Sequence, residues 1–199
     1  MARRSDHSRE QLAEMAVAAA ATLAQRGGLR GVTARGVARE IGYTVGTLYN
    51  VFDNLDDLLR HMNAATMDAL YTHVTTETVD DDPEQALRAL ARRYLAFVSD
   101  NPRLWSAVIE FEPQDGAPAP DWYRHKAQRL VKLGEDAITG LFGPREKAAR
   151  RRNAHVLWSA LYGLTALSQT TNLADGDPPD ALIDTLVTTY IAGLKARQG

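Results

Sequence analysis

The stretch from Thr33 to Phe52, TARGVAREIGYTVGTLYNVF, constrains this chain more than any other. Apolar Val37, Ala38 and Ile41 recur at helical spacing, and Val45, Leu48, Val51 and Phe52 do so again after the interruption Gly42-Tyr43-Thr44. A break that short leaves room only for a tight turn between two short helices. Gly42 suits the left-handed backbone such a turn demands, because a β-carbon resists positive φ. Two helices that cross steeply also need a small residue where they meet, and Ala38 stands four residues before the turn glycine. The pattern predicts a helix-turn-helix. Its second helix presents Thr44, Gly46, Thr47, Tyr49 and Asn50, short or hydrogen-bonding groups fitted to lie against DNA.

Such a motif needs helical neighbours, and the rest of the chain supplies them. Runs of β-branched residues are scarce and nearly every apolar segment keeps the helical period, so an all-α fold of about nine helices is expected. With 199 residues, 45% apolar and 24% charged, the chain can form one or two packed domains and is not a disordered one. The net charge of −2 looks wrong for a nucleic-acid binder until it is divided. Residues 1–53 hold seven Arg against five acids, while residues 54–199 hold sixteen Lys/Arg against twenty acids. A basic head on an acidic body suits a small DNA-binding module, because phosphate attraction is screened within roughly 10 Å.

The first helix is expected to start at Ser8, with Gln11 completing a capping box, and to end at Gly27-Gly28. Its inward stripe is Leu12, Met15, Ala16, Ala19 and Leu23, and Thr33 is a good N-cap for the next helix. A long fourth helix, about Leu55 to Thr78, is apolar on more than one side and is expected to lie between reader and body. A fifth helix runs to Asp100-Asn101-Pro102, and a short sixth, Arg103 to Phe111, leads into the loop PQDGAPAP. The seventh, eighth and ninth helices are expected at about Pro120 to Leu141, Arg145 to Thr171 and Asp180 to Lys195. The expected domains are residues 1–53 for DNA binding and residues 54–199 for ligand binding and dimerisation.

The last two helices are rich in apolar residues, among them Val156, Leu157, Leu161, Leu164, Leu167, Ile183, Leu186, Val187 and Ile191. Either these fill the chain's own core, or they pair with a second copy in a four-helix bundle. A twofold dimer would let two readers meet half-sites about 34–36 Å apart.

At residues 8 to 60 the chain resembles the tetracycline-repressor (TetR) family of bacterial regulators. A single helix precedes T-ARGVAREIGYTVGTLYNVF, and a long helix beginning LDDLL follows it. Beyond residue 60 the resemblance is one of layout. Pro102 with Leu104-Trp105, and Trp158-Ser159-Ala160-Leu161-Tyr162-Gly163, are similar to a TetR subgroup with a Trp…His-Gly motif, though Tyr162 stands where that motif has His. The resemblance implies a ligand-responsive regulator, most simply a repressor that holds a pseudo-palindromic operator as a homodimer and leaves it when a small-molecule effector shifts the fourth helix. It also marks two departures: Leu55 where the family has a phosphate-contacting Lys, and Asn50 where a basic or aromatic residue is common.

The candidate DNA contacts are Thr33, Arg35, Thr44, Val45, Thr47, Tyr49 and Asn50. Val45 can meet a thymine methyl. Tyr49 either packs under the first helix or, as the resemblance implies, bonds a phosphate. Arg35 and its neighbour Arg39 reach the DNA backbone or are solvated. The candidate effector contacts are Met62, Thr66, Trp105, Phe111, Trp122, Trp158 and Tyr162, with Tyr71 and Tyr123 beside them. They line a cavity between helices or are ordinary core, and Arg129 and His155 are candidates to orient a polar end. No cysteine is present, and neither G-x-S-x-G, a phosphate loop nor metal-spaced His occurs. No enzyme activity, cofactor or metal is expected. Arg3-Arg4 before the apolar run Met15 to Ala24 faintly imitates a signal peptide, but Asp6, Glu10 and Glu14 interrupt it. No stretch reaches the roughly 20 apolar residues of a membrane span, so a cytoplasmic protein is expected. The alternative is a helical dimer acting as adaptor or small-molecule carrier without sequence-specific DNA binding.

Overall fold

A computed structural model describes residues 7–76, 81–114, 116–168 and 176–197. Among the described residues are nine α-helices and no strand. They are α1 (Arg9–Gly27), α2 (Ala34–Glu40), α3 (Val45–Tyr49), α4 (Leu55–Val74), α5 (Pro83–Asp100), α6 (Pro102–Glu110), α7 (Asp121–Ala137), α8 (Lys147–Ser168) and α9 (Pro179–Ala196), with 3-10 turns at Leu29–Gly31 and Thr139–Leu141. The chain divides into two compact units, Met1–Asp68 with Asn101–Tyr123, and Ala69–Asp100 with Arg124–Gly199.

Local sequence explains the start of the first unit. The Ser8 hydroxyl accepts from Gln11 N at 3.2 Å while Gln11 Oε1 accepts from Ser8 N at 2.8 Å, the reciprocal pair of a capping box. The glycine pair ends α1, with Gly28 at φ 68°. The Thr33 hydroxyl caps α2 by accepting from Gly36 N at 3.1 Å. At the far end of α2, Gly42 has φ 75°, and Tyr43 N donates to Ala38 O while Gly42 N donates to Arg39 O. These two bonds satisfy carbonyls that the helix end would leave orphaned. A β-carbon at Gly42 would meet nothing within 4 Å, so only the backbone resists one. The Gly42→Ala variant is therefore expected to lose about 1–2 kcal/mol, read from chemical denaturation. Wild-type stability would remove the argument for this turn.

One apolar cluster holds the first unit together. Ala16, Ala19, Ala20 and Ala24 of α1 meet Val37, Leu48 and Phe52 of the helix-turn-helix, Leu58, Leu59 and Met62 of α4, and Leu104 and Ala107 of α6. The unit thus reaches past residue 53, because α4 and α6 cover apolar faces that three short helices leave open. Met15 and Leu23 are only half-buried, and Ala20 and Ala24 take the innermost places instead. Small side chains there allow close approach of neighbouring helices. Arg103 of α6 donates to Gln25 O at 3.0 Å and also to Arg26 O, satisfying carbonyls at the end of α1.

In the second unit α5 packs against α9 and α8. Leu87, Ala91, Tyr94 and Val98 face inward from α5, Ala154, Leu157 and Leu161 from α8, and Ile183, Val187, Ile191 and Leu194 from α9. Asp184 accepts from Arg88 Nε at 3.0 Å and ion-pairs Arg92 at 2.9 Å, which sets the register of α9 on α5. Trp158 Nε1 donates to Leu130 O at 3.1 Å, and a β-carbon at Gly134 would touch the same indole.

Two helix ends fall short of expectation. The fourth helix stops at Val74 rather than Thr78, because Thr75 and Thr76 turn their hydroxyls onto Tyr71 O (2.8 Å) and His73 O (2.9 Å); residues 77 and 78 lie outside the described segments. The seventh stops at Ala137, where the chain tightens into the 3-10 turn Thr139–Leu141. The eighth starts two residues later than expected, after Glu146 accepts from Gly143 N at 2.8 Å, and Thr171 lies outside the described residues.

Candidate nucleic-acid interface

The outer face of α3 is built from its first residues. Thr44, extended at φ −92° and ψ 159°, caps the helix: its hydroxyl accepts from Thr47 N at 3.2 Å. The Thr44 and Thr47 hydroxyls also lie 2.9 Å apart, so one proton is shared between them and the other stays available to an acceptor outside. Leu48 is 2% exposed and anchors the opposite face in the cluster. Val45 is half-buried at the edge. Tyr49 is 45% exposed and Asn50 is exposed beside it. Of the two positions open to Tyr49, the outward one is observed and the one under α1 is not.

Thr33, Arg35 and Arg39 are all exposed along α2 and its cap. The Thr33 oxygen receives Gly36 N, which leaves its own proton free to donate to an anion. A β-carbon on Gly36 would come within 3.0 Å of that oxygen and 3.2 Å of Leu23 Cδ1, so this glycine keeps α2 tight against α1. Two residues ahead of the motif fasten it. His7 Nδ1 and Tyr43 Oη are 2.7 Å apart, and Arg9 donates to Val51 O at 3.4 Å.

The start of α4 is acidic as well as lacking a lysine. Leu55 is half-buried against the cluster. Asn54 caps the helix through Asp57 N at 2.8 Å, and Asp57 in turn accepts from Asp53 N at 3.2 Å. Asp56 accepts from Gln114 N at 2.8 Å. Negative charge at a helix N-terminus steadies the helix. The same charge opposes a phosphate there. The signal is legible in the sequence itself, as D-N-L-D-D at residues 53–57.

The seven candidate effector residues do not fall in one unit. Met62, Thr66, Trp105, Phe111 and Trp122 belong to the first, Trp158 and Tyr162 to the second. Met62 is fully buried in the cluster that carries the helix-turn-helix, and the Thr66 hydroxyl is spent on Met62 O at 3.2 Å. Trp105 is buried. Phe111 lies beneath the Arg60 guanidinium, 5.8 Å from its ring centre, and Trp122, 37% exposed, stacks on His61 at 4.7 Å. The Tyr123 phenol is pushed up by burial, against smaller downward pulls from Asn63 and Arg60. Trp158 is tied to α7 as described, and Tyr162 is exposed. Of the two polar candidates, Arg129 stacks on Tyr71 with 3.8 Å to the ring centre, and His155 Nδ1 meets Arg151 O at 2.9 Å.

Comparison with known proteins places these features in a wider set. A family model for bacterial regulatory proteins of the tetR family matches residues 16–62, and one for the C-terminal domain of tetracyclin repressor-like proteins matches residues 87–190. An uncharacterized HTH-type transcriptional regulator of Mycobacterium tuberculosis is 26% identical over 197 residues, covering 99% of this chain and 86% of that protein. A protein of unknown function from Rhodococcus sp. RHA1 shares the fold with a TM-score of 0.77 at 21% identity, over 97% of this chain and 99% of its own. A tetR-family transcriptional regulator from Streptomyces coelicolor does so with a TM-score of 0.70 at 16% identity, over 97% and 85%.

Proposed function

Because the chain belongs to the tetR family of bacterial regulatory proteins, and is therefore a DNA-binding transcriptional regulator rather than an enzyme, we propose that it represses from a pseudo-palindromic operator as a homodimer and is released by a small-molecule effector. The observation that carries this reading is the outer face of α3, where Thr44, Thr47, Tyr49 and Asn50 gather polar groups on a helix anchored from behind by Leu48. In this reading the Thr44–Thr47 pair and Val45 meet base edges, and Tyr49, Thr33 and Arg35 meet phosphates. Asn50 donates to whichever group lies beyond the end of α3. Residues 1–53 then do the reading, and residues 54–199 sense the effector and dimerise.

A second copy is the proposed partner of α8 and α9. Once Ile183, Val187, Ile191 and Leu194 have filled the chain's own core, Val156, Tyr162 and Leu167 remain outward on α8 at 49%, 39% and 51% exposure. Apolar side chains of that size repeated along one helix favour a helical partner. The effector is proposed to act through α4, which supplies residues to both compact units. Among the described residues no helix is long and apolar enough to cross a membrane, and we place the protein in the cytoplasm with its DNA.

Anisotropy titration with the DNA upstream of its own gene tests the proposal, and an absence of sequence-specific binding at about 0.15 M salt would overturn it. The same assay carries a further expectation. With Leu55 and three nearby acids in place of a basic contact, the affinity should fall only gently with salt. The Leu55→Lys variant is expected to steepen the log–log slope by about one unit by adding a phosphate contact. An unchanged slope would mean that the start of α4 does not face the backbone.

A further inference from the structure

The densest positive charge in this chain is not on the helix-turn-helix. Residues 124–155 hold nine Lys/Arg against three acids, a larger excess than in residues 1–53. Within the second unit α7 and α8 border an open cleft of about 770 Å³. Lys132, Lys147, Arg150, Arg151, Arg152 and His155 line it. Val131 and Ala148 add an apolar part to the same lining.

Among the described residues the cations that line the cleft are only partly offset. Lys132 pairs with Asp136 one turn on. Glu135, inside the cleft, reaches Arg150 only at 3.8 Å, and the buried Arg150 Nε makes no hydrogen bond. Lys147, Arg151 and Arg152 have no acidic partner among the described residues, and all three are exposed. Lys147 and Arg151 stand four residues apart on one helix, where like charges repel. An anion in the cleft would relieve that repulsion.

We propose that this cleft binds an organic polyphosphate, a ligand with several phosphate charges joined to a planar or apolar group. Clustered guanidinium forks match phosphate oxygens, and the apolar lining would take the organic part. The cleft's size is that of a small-molecule site. Duplex DNA instead takes a protruding helix into a groove about 12 Å wide, and its phosphodiester edge has nothing to place against Val131 and Ala148. The proposal is independent of operator recognition.

Calorimetric titration of the full chain with ATP, inorganic tripolyphosphate and adenosine at about 0.15 M salt tests it. Saturable binding is expected for ATP, weaker binding for tripolyphosphate and none for adenosine. The R151E/R152E variant should weaken ATP by at least about 10-fold, as expected when charge-assisted hydrogen bonds become repulsive. Both side chains are exposed, so its thermal melt should match wild type. E135Q removes the acid that lines the cleft among the described residues and should tighten ATP by roughly threefold, a gain that misfolding cannot imitate. The proposal is overturned by no heat at millimolar ATP, by equal binding of adenosine, or by ATP affinity indifferent to either variant. If R151E/R152E instead lowers affinity for random duplex DNA while ATP fails to bind, the cleft is a nucleic-acid surface and the proposal is equally lost.

Discussion

The Met62→Ala variant is expected to lose about 2–5 kcal/mol of stability, seen as a fall of roughly 5–15 °C in melting temperature. Met62 is fully buried and shares one cluster with Val37, Leu48 and Phe52 of the helix-turn-helix and Leu104 and Ala107 of α6. Truncation removes three heavy atoms from the middle of that cluster, and neighbours on three sides cannot all close the gap. Against a total of about 5–15 kcal/mol the loss is large. Met62→Leu, which keeps the volume, should cost under about 1.5 kcal/mol. The comparison also separates two roles for this residue. If Met62 lined an effector cavity with room around it, the alanine variant would melt near wild type and lose only its response to the effector.

The second large effect concerns DNA. The Thr47→Ala/Tyr49→Ala double variant is expected to bind operator at least about 100-fold more weakly, because each lost contact of this kind costs about 1–3 kcal/mol. Its melt should hardly move. Tyr49 is exposed, and among the described residues the Thr47 side chain bonds the Thr44 hydroxyl alone. The cap itself, from Thr47 N to Thr44 Oγ1, uses backbone and survives. Sedimentation of the double variant should show the same oligomer as wild type. Retained operator affinity in that intact oligomer would mean that Thr47 and Tyr49 do not make the operator contacts.

The two variants divide along the line between what could and could not be read from the residues. Helices α1 to α3 are specified by neighbours in sequence: a capping box at Ser8 and Gln11, a cap at Thr33, a left-handed glycine at 42. Each acts over a span of three to five residues, so each was legible. Tyr49 was ambiguous, since a tyrosine at helical spacing serves a core or a surface equally well. Only the seating of Leu48 beneath α3 turned it outward. The ends of α4 and α7 were missed for a related reason, because a threonine hydroxyl competing for a carbonyl is invisible to apolar periodicity.

The effector residues show the limit most plainly. Aromatic and sulfur-containing side chains at helical spacing look alike whether they face a cavity or a neighbour. Tertiary structure put Met62 in the reader's own core, Trp158 against a carbonyl of α7 and Trp122 on a histidine ring. It also brought together cations of two helices that lie spread over residues 124–155 in the sequence. By itself the sequence determined that this chain would be all helical, where its reader lies, and how that reader's turn is made, because those depend on bonds between near neighbours. Which faces are left over once the helices have packed, and hence what else the protein can bind, depends on contacts between residues far apart in the chain. The fold alone decided that.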